Sequence, residues 1–208
     1  MDSRGTGSVE GLPGSPAYVD EQVRYLVKFV VAGGLGVGKT TLIRTVSEIT
    51  ARSTEAVMTA SSIATDSLTL TPQKSTTTVA LDFGRRTIDD EVILYLFGAP
   101  GQSRFITPLW PALSQGALGV LVLVDIRRLQ DCHPFLDLVE RAGLPYTVAV
   151  NRFPDTPDIA EADLRGALDL ADTTPLVMCS ALDRLSCLDA LITLARQCLA
   201  RARLDPVS

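Results

Sequence analysis

Apolar and polar positions along this chain fall into alternating blocks from Tyr25 onward. Six short runs rich in apolar and β-branched residues read as strands: YLVKFVVAG (25–33), STTTVALDFGR (75–85), DEVILYLFG (90–98), ALGVLVLVD (117–125), YTVAVN (146–151) and PLVMCS (175–180). Between them, residues 38–49, 102–115, 126–142, 158–171 and 183–203 repeat apolar positions at helical spacing. In the last of these Leu185, Leu188, Leu191, Ile192, Ala195 and Leu199 form a stripe expected to face the core. Near-continuous apolar strands alternating with helices predict an α/β fold with a mostly parallel six-stranded sheet covered on both faces. The short Asp89-Asp90 turn makes one edge strand antiparallel. Residues 50–75 show no such pattern and are long for one connection, which leaves extra helix or disorder open there.

The pattern also sets the domain limits. Residues 1–24, with Gly5, Gly7, Gly11, Gly14, Pro13 and Pro16 among serines, bury too little apolar surface to offset ordering entropy and read as a flexible tail or a regulatory arm. One domain is expected over 25–203, followed by a short tail at 204–208.

Composition narrows the function classes. In 208 residues, 46% apolar and 21% charged, one soluble core is the expectation. A formal net charge of −5 argues against a surface that coats nucleic-acid phosphates. The longest apolar run, Ala117–Val124, is far too short to span a bilayer. No signal-peptide pattern opens the chain, residue 2 is not glycine, and RLDPVS offers no prenylation cysteine, so direct membrane insertion is not expected. Cys132, Cys179, Cys187 and Cys198 lack CxxC spacing and read as buried free thiols, suited to a reducing cytosol. The single histidine, His133, precedes a proline and reads as a turn residue.

One motif carries chemistry by itself. GGLGVGKT, residues 33–40, matches GxxxxGK[ST] between a predicted strand and a predicted helix. Gly33, Gly34, Leu35, Gly36, Val37 and Gly38 would turn backbone N–H groups toward phosphates, with the helix N-terminus favouring negative charge. Lys39 would reach the β- and γ-phosphates, Thr40 would ligate Mg²⁺, and Thr41 follows in the same turn.

The order of the later segments TTTVALDFG, LFGAPGQSRF, VLVDIRR, VAVNRFPD and MCSAL resembles the Ras-like small GTPases over nearly all of residues 25–203. The wording VVAGGLGVGKTTLIRTVSEI, TTTVALDFGR, LYLFGAPGQSRF and LPYTVAVNRF is most similar to the GTP-binding proteins of actinomycete conservon operons, relatives of the bacterial gliding and polarity GTPases. The resemblance implies a P-loop small-GTPase fold binding GTP/GDP with Mg²⁺, hydrolysing GTP slowly and acting as a switch. It implies Thr78 as the switch-I threonine, meeting Mg²⁺ and the γ-phosphate, Gly101 as a γ-phosphate donor, and Gln102 as the residue that orients water. Where these proteins carry the switch-II aspartate, this chain has Gly98. Asp125, ending a strand, reads either as a metal-site carboxylate or as a helix cap.

For the base, Asn151, Arg152 and Phe153 hold the places of an Asn-Lys-x-Asp motif, Pro154 stands at the aspartate's position, and Asp155 comes one residue late. Ser180, Ala181 and Leu182 match the later base-contacting motif. Loss of the carboxylate would remove a charge-assisted pair worth about 1.5–3 kcal/mol of guanine preference. Leu35 would crowd Gln102 or an incoming arginine, and Arg104 would brace switch II. An interaction module without turnover and a P-loop ATPase using Asp125 are the alternative readings. Phe105, Ile106, Leu109 and Trp110 serve either as core or as a partner-docking face. The resemblance implies a roadblock-type regulatory protein and a sensor-kinase-like membrane protein as partners, hence a cytoplasmic protein held peripherally at the membrane through them.

Overall fold

A computed structural model describes residues 23–50, 52–58 and 77–204. The strands are β1 (Tyr25–Ala32), β2 (Arg52–Met58), β3 (Thr77–Thr87), β4 (Val92–Gly98), β5 (Gly119–Val124), β6 (Tyr146–Asn151) and β7 (Leu176–Cys179). The helices are α1 (Lys39–Val46), α2 (Ser103–Ser114), α3 (His133–Arg141), α4 (Glu161–Ala167) and α5 (Arg184–Leu204). They form one sheet of order β2-β3-β4-β1-β5-β6-β7. Strands β4, β1, β5, β6 and β7 run parallel to their neighbours in that series, and β3 is antiparallel to both β2 and β4.

The α/β class and the mostly parallel sheet are as the pattern predicts, with one strand more than the six expected. Strand β2 comes from the stretch 50–75 that carried no pattern. Its apolar residues, Ala56, Val57 and Met58, sit together at one end, so no alternation announces a strand whose regularity comes from backbone pairing with β3. Residues 59–76 lie outside the described residues, as do all but the last two positions of the expected N-terminal tail and all but Leu204 of the C-terminal one.

Side chains on β1 divide the core in two. Val30 and Ala32 join Ile106, Trp110, Phe135, Leu136 and Val139 on the face covered by α2 and α3. Phe29 and Val31 join Leu42, Ile43, Val46, Leu191 and Leu194 under α1 and α5. Each fully buried Leu, Ile or Phe adds about 1.5–3 kcal/mol. This alternation holds β1 rigid up to Ala32, where the glycine loop begins.

Two helix expectations change. The stretch 126–142 divides into a 3-10 turn, Ile126–Asp131, and α3, with Pro134 in the first turn of α3 where its missing N–H costs nothing. Of the expected α5 stripe, Leu191 is buried and Leu188 and Ala195 pack half-buried on the core, while Leu185, Ile192 and Leu199 are 72%, 46% and 61% exposed; Cys187, Ala190 and Leu194 complete the buried face. Apolar residues occupy so much of the circumference of α5 that spacing alone admits two faces, and the small Cys and Ala side chains take the close approach to the sheet.

Candidate functional site

At the C-terminal end of β1 the chain turns through Gly33–Gly38 into α1. Gly33 has φ 135°, and a Cβ there would lie 2.3 Å from the Leu123 carbonyl oxygen. Gly38 has φ 105°, and its Cβ would stand 2.5 Å from Asn151 Nδ2. Both places exclude a side chain by backbone shape and by space. Helix α1 starts at Lys39 with no side-chain cap and no acidic residue in its first turn, so its leading N–H groups and positive dipole end remain available to an anion.

Lys39 is 8% exposed and donates from Nζ to the Gly33 and Gly34 carbonyls, 2.7 Å each. Burial lowers its ammonium to about 8, against the opposing pull of the Asp82 carboxylate. The Thr40 hydroxyl donates to Asp82 Oδ2. Asp82 stands on β3 directly opposite Gly98 of β4. A Cβ at Gly98 would be 2.9 Å from Asp82 Cβ and 3.0 Å from Ile43 Cδ1, so the carboxylate lies across the strand pair from the place where the resemblance put one.

Thr40 and Asp82 are the pair suited to a hard divalent cation, as a neutral and an anionic oxygen donor. No group of three or more His, Cys, Asp or Glu side chains placed to hold a metal ion occurs among the described residues, so such an ion would complete its shell with phosphate and water. Sequence reasoning missed Asp82. Its signal was an aspartate inside the apolar run VALDF, paired with a glycine across the sheet.

Thr78 is not brought to this cluster. It pairs with Val57 in β3, four residues before Asp82, about 13 Å along the strand. Gly101 is brought in: its Cβ position is 2.7 Å from Leu35 Cα and 3.0 Å from the Gly34 carbonyl oxygen, so the segment leading into α2 starts directly against the glycine loop. Gln102 precedes α2, and its Oε1 accepts from Arg104 Nε at 3.0 Å, while the Arg104 guanidinium lies 4.5 Å from the Phe105 ring centroid. Arg104 therefore ties Gln102 to Phe105 at the start of α2.

Leu35 is 60% exposed and shares with Gln102, Arg104 and Asp131 the wall of a hollow of about 370 Å³. Arg128, which sequence reasoning did not single out, donates from Nη2 to the Leu35 carbonyl at 2.8 Å. Ile106 and Trp110 are buried against α3 and Leu109 is partly buried there, which gives these residues to the core rather than to an exposed face.

At the far end of the loop Asn151, 3% exposed, donates from Nδ2 to the Val37 carbonyl and accepts at Oδ1 from the Ala181 N–H, both at 2.9 Å. The Thr45 hydroxyl holds the Ala181 carbonyl at 2.7 Å, and the Ser180 N–H donates to Ser186 Oγ at 2.9 Å. Thr41 is half-buried in the first turn of α1. Arg152 and Leu182 project outward.

The Phe153 ring carries Arg127 at 4.0 Å from its centroid, and Arg127 also pairs with Asp155. Arg127 pairs in addition with Asp125 at 2.7 Å, while Asp125 Oδ1 accepts from the Arg127 N–H at 3.1 Å. Of the two readings of Asp125, the geometry is that of the cap. The Arg127 hydrogen bond is the main cause holding its carboxyl below the usual range, against the effect of burial.

No helix among the described residues is long and apolar enough to cross a membrane. Comparison with curated proteins gives no match. Among solved structures, the chain is similar to the cytosolic domain of the T. maritima FeoB iron transporter in apo form, at 16% identity and TM-score 0.59, covering 84% of this chain and 64% of that one. The chain thus spans slightly less than two thirds of that domain. It is also similar to the FeoB G-domain from Methanococcus jannaschii, at 13% identity and TM-score 0.55, covering 84% of this chain and 98% of that one. These likenesses show the P-loop GTPase-like fold. A family model described as "Conserved hypothetical ATP binding protein" matches residues 31–201, most of the chain, and the protein therefore belongs to that family.

Proposed function

We propose that this protein is a nucleotide-dependent switch that binds GTP and GDP with Mg²⁺ and hydrolyses GTP slowly. The observation that carries the reading is the Thr40–Asp82 pair beside buried Lys39, set at the uncapped start of α1. That arrangement offers an anion the loop N–H groups and one ammonium, and offers a cation two oxygens. Mg²⁺ supplies neutralisation of phosphate charge when bound.

Lys39 would exchange its two carbonyl acceptors for phosphate oxygens, and Gln102 would leave Arg104 to orient water. Slow turnover follows from that competing Arg104 bond and from Leu35 in the shared hollow. Thr78 would join the site only by a shift of the first half of β3, so its part in the cycle belongs to a rearranged state. The resemblance to conservon GTP-binding proteins supports a roadblock-type regulator and a sensor-kinase-like membrane protein as partners, and peripheral membrane association through them.

A second reading, an ATP-binding switch, is favoured by two contacts. Asp155, the carboxylate nearest the guanine-reading position, is paired with Arg127, and the Ala181 N–H that would meet guanine O6 is given to Asn151. The family's own description also mentions ATP. Titration of the purified chain with fluorescent GDP and ADP separates them. Tighter GDP binding is expected, by about tenfold, less than a free carboxylate would give. Tighter ADP binding would replace GTP with ATP, and no binding of either would remove the switch reading.

A further inference from the structure

Helix α5 has a buried apolar face and, beside it, a second apolar arc whose inner edge, Leu188 and Ala195, is half-buried against the same core while its outer edge is exposed. Cys187, Ala190, Leu191 and Leu194 are buried under the sheet. The other face repeats every seven residues, with Leu185, Ile192 and Leu199 all strongly exposed and Leu188, Ala195 and Ala202 following each by three. This is the a/d pattern of a helix that packs on another helix. Beside it, Leu188, Ile192 and Ala195 form one wall of an apolar groove of about 250 Å³ whose opposite wall includes Val27, Ile88 and Val92. The groove lies at the N-terminal ends of the parallel strands, at the opposite end of the sheet from the glycine loop.

Volumes and charges along this face are self-complementary in one orientation. When α5 is laid against a copy of itself running the other way, Leu185 meets Ala202 of the copy, Leu188 meets its Leu199, and Ile192 meets its Ala195. Large side chains fall on small ones in the outer and central layers, and Leu188 falls on Leu199 between them, so no small residue faces another small one. The same register sets Asp189 against Arg196 of the copy, twice by symmetry, on the flank of the seam. A parallel pairing would stack Ala195 on Ala195 and Ala202 on Ala202, leaving unfilled layers, and would not set Asp189 against Arg196.

We infer that the outer face of α5 is a self-association surface on which a second copy of this chain packs its own α5 antiparallel. The pairing buries Leu185, Ile192 and Leu199 of both copies and leaves both nucleotide sites open, so it stands independently of which base is bound.

Sedimentation equilibrium on the full chain, from about 1 to about 100 µM, tests this. The expected result is a reversible dimer of twice the chain mass. Ile192→Glu gives a monomer with unchanged far-UV circular dichroism. Asp189→Arg weakens the dimer by about tenfold, and adding Arg196→Asp to it restores the affinity, because the reversed pair meets across the seam. These two surface changes decide the matter even if Ile192→Glu misfolds.

A wild-type chain monomeric throughout, or a double variant no tighter than Asp189→Arg alone, overturns the proposal. A monomer that dimerises only after removal of residues 1–22 also overturns it, and identifies the chain's own N-terminal segment as the occupant of the groove.

Discussion

The Thr40 hydroxyl is bonded to the carboxylate of Asp82, a residue that faces Gly98 across an antiparallel strand pair. The position that would carry the switch-II carboxylate is thus glycine because the carboxylate arrives from the neighbouring strand and fills its space. If that pair holds the cation, Asp82→Ala lowers Mg²⁺-dependent nucleotide affinity by about 10–100-fold while leaving Mg²⁺-independent binding nearly unchanged. Titration with and without EDTA measures both. Adding Gly98→Asp does not rescue the loss, since its Cβ would stand 2.9 Å from the Cβ of residue 82, which alanine keeps.

Lys39 gives the site a pH dependence of definite sign. Its ammonium, lowered to about 8 by burial, regains its charge when an anionic phosphate replaces the carbonyls around it. Binding therefore takes up a proton above that value, and affinity should fall about tenfold per pH unit from 8 upward. Isothermal titration in buffers of different ionisation enthalpy detects the uptake. A flat affinity between pH 8 and 10 would falsify the assignment of Lys39 as the phosphate contact.

The glycine loop should resist substitution for two separable reasons. Gly33→Ala meets the Leu123 backbone at 2.3 Å and Gly38→Ala meets the Asn151 amide at 2.5 Å, both at positive φ. Each is expected to cost more than about 2 kcal/mol by urea denaturation. Gly143, also at positive φ with nothing near its Cβ position, supplies the control: Gly143→Ala costs about 1 kcal/mol, the backbone contribution alone.

Asp125 makes the fold acid-sensitive. Its carboxyl is held below the usual range, so its contribution is present above the unfolded value and is lost as pH falls through the lower folded one. Asp125→Ala should cost about 1–3 kcal/mol at pH 7 and progressively less toward pH 3. Urea midpoints for both chains across that range converge if this is right, and stay parallel if Asp125 contributes only through packing.

Gln102→Ala should abolish single-turnover phosphate release above background while changing nucleotide affinity by less than about threefold. An unchanged rate above background would transfer the water-orienting role elsewhere, whereas wild-type release no faster than the variant's background would leave the interaction module without turnover as the better account of Gly98 and Leu35.

How much of this was legible in the sequence depended on distance along the chain. The glycine loop was readable because strand, turn and helix signals lie within about twenty residues, and each acts locally. Asp82 was not readable as a partner of Thr40, because the pairing that sets it opposite Gly98 is a register of β3 on β4 that no local pattern encodes. Strand β2 was missed because its pairing with β3, rather than its apolar spacing, defines it. On α5 the expected stripe is half right: Leu188, Leu191 and Ala195 pack on the core, but the helix is turned so that Cys187 and Leu194 take the centre of the buried face and Leu185, Ile192 and Leu199 are exposed, a rotation that apolar spacing around so much of the circumference does not fix. Arg128 and Arg127 escaped notice because a charged residue after a strand is ordinary in sequence, while their contacts to Leu35, Phe153 and Asp155 are tertiary.

Asn151 joins three segments that are far apart in sequence: its amide grips Val37 in the glycine loop on one side and Ala181 on the other, from the end of a buried strand. A single side chain is then the common fastening of the two segments that the proposed function makes the phosphate end and the base end of the cleft. On the proposed nucleotide reading, loosening this one amide loosens both ends of the cleft at once. On this account Asn151→Ala accelerates dissociation far more than it slows association, and a stopped-flow chase that finds the opposite would separate the two ends.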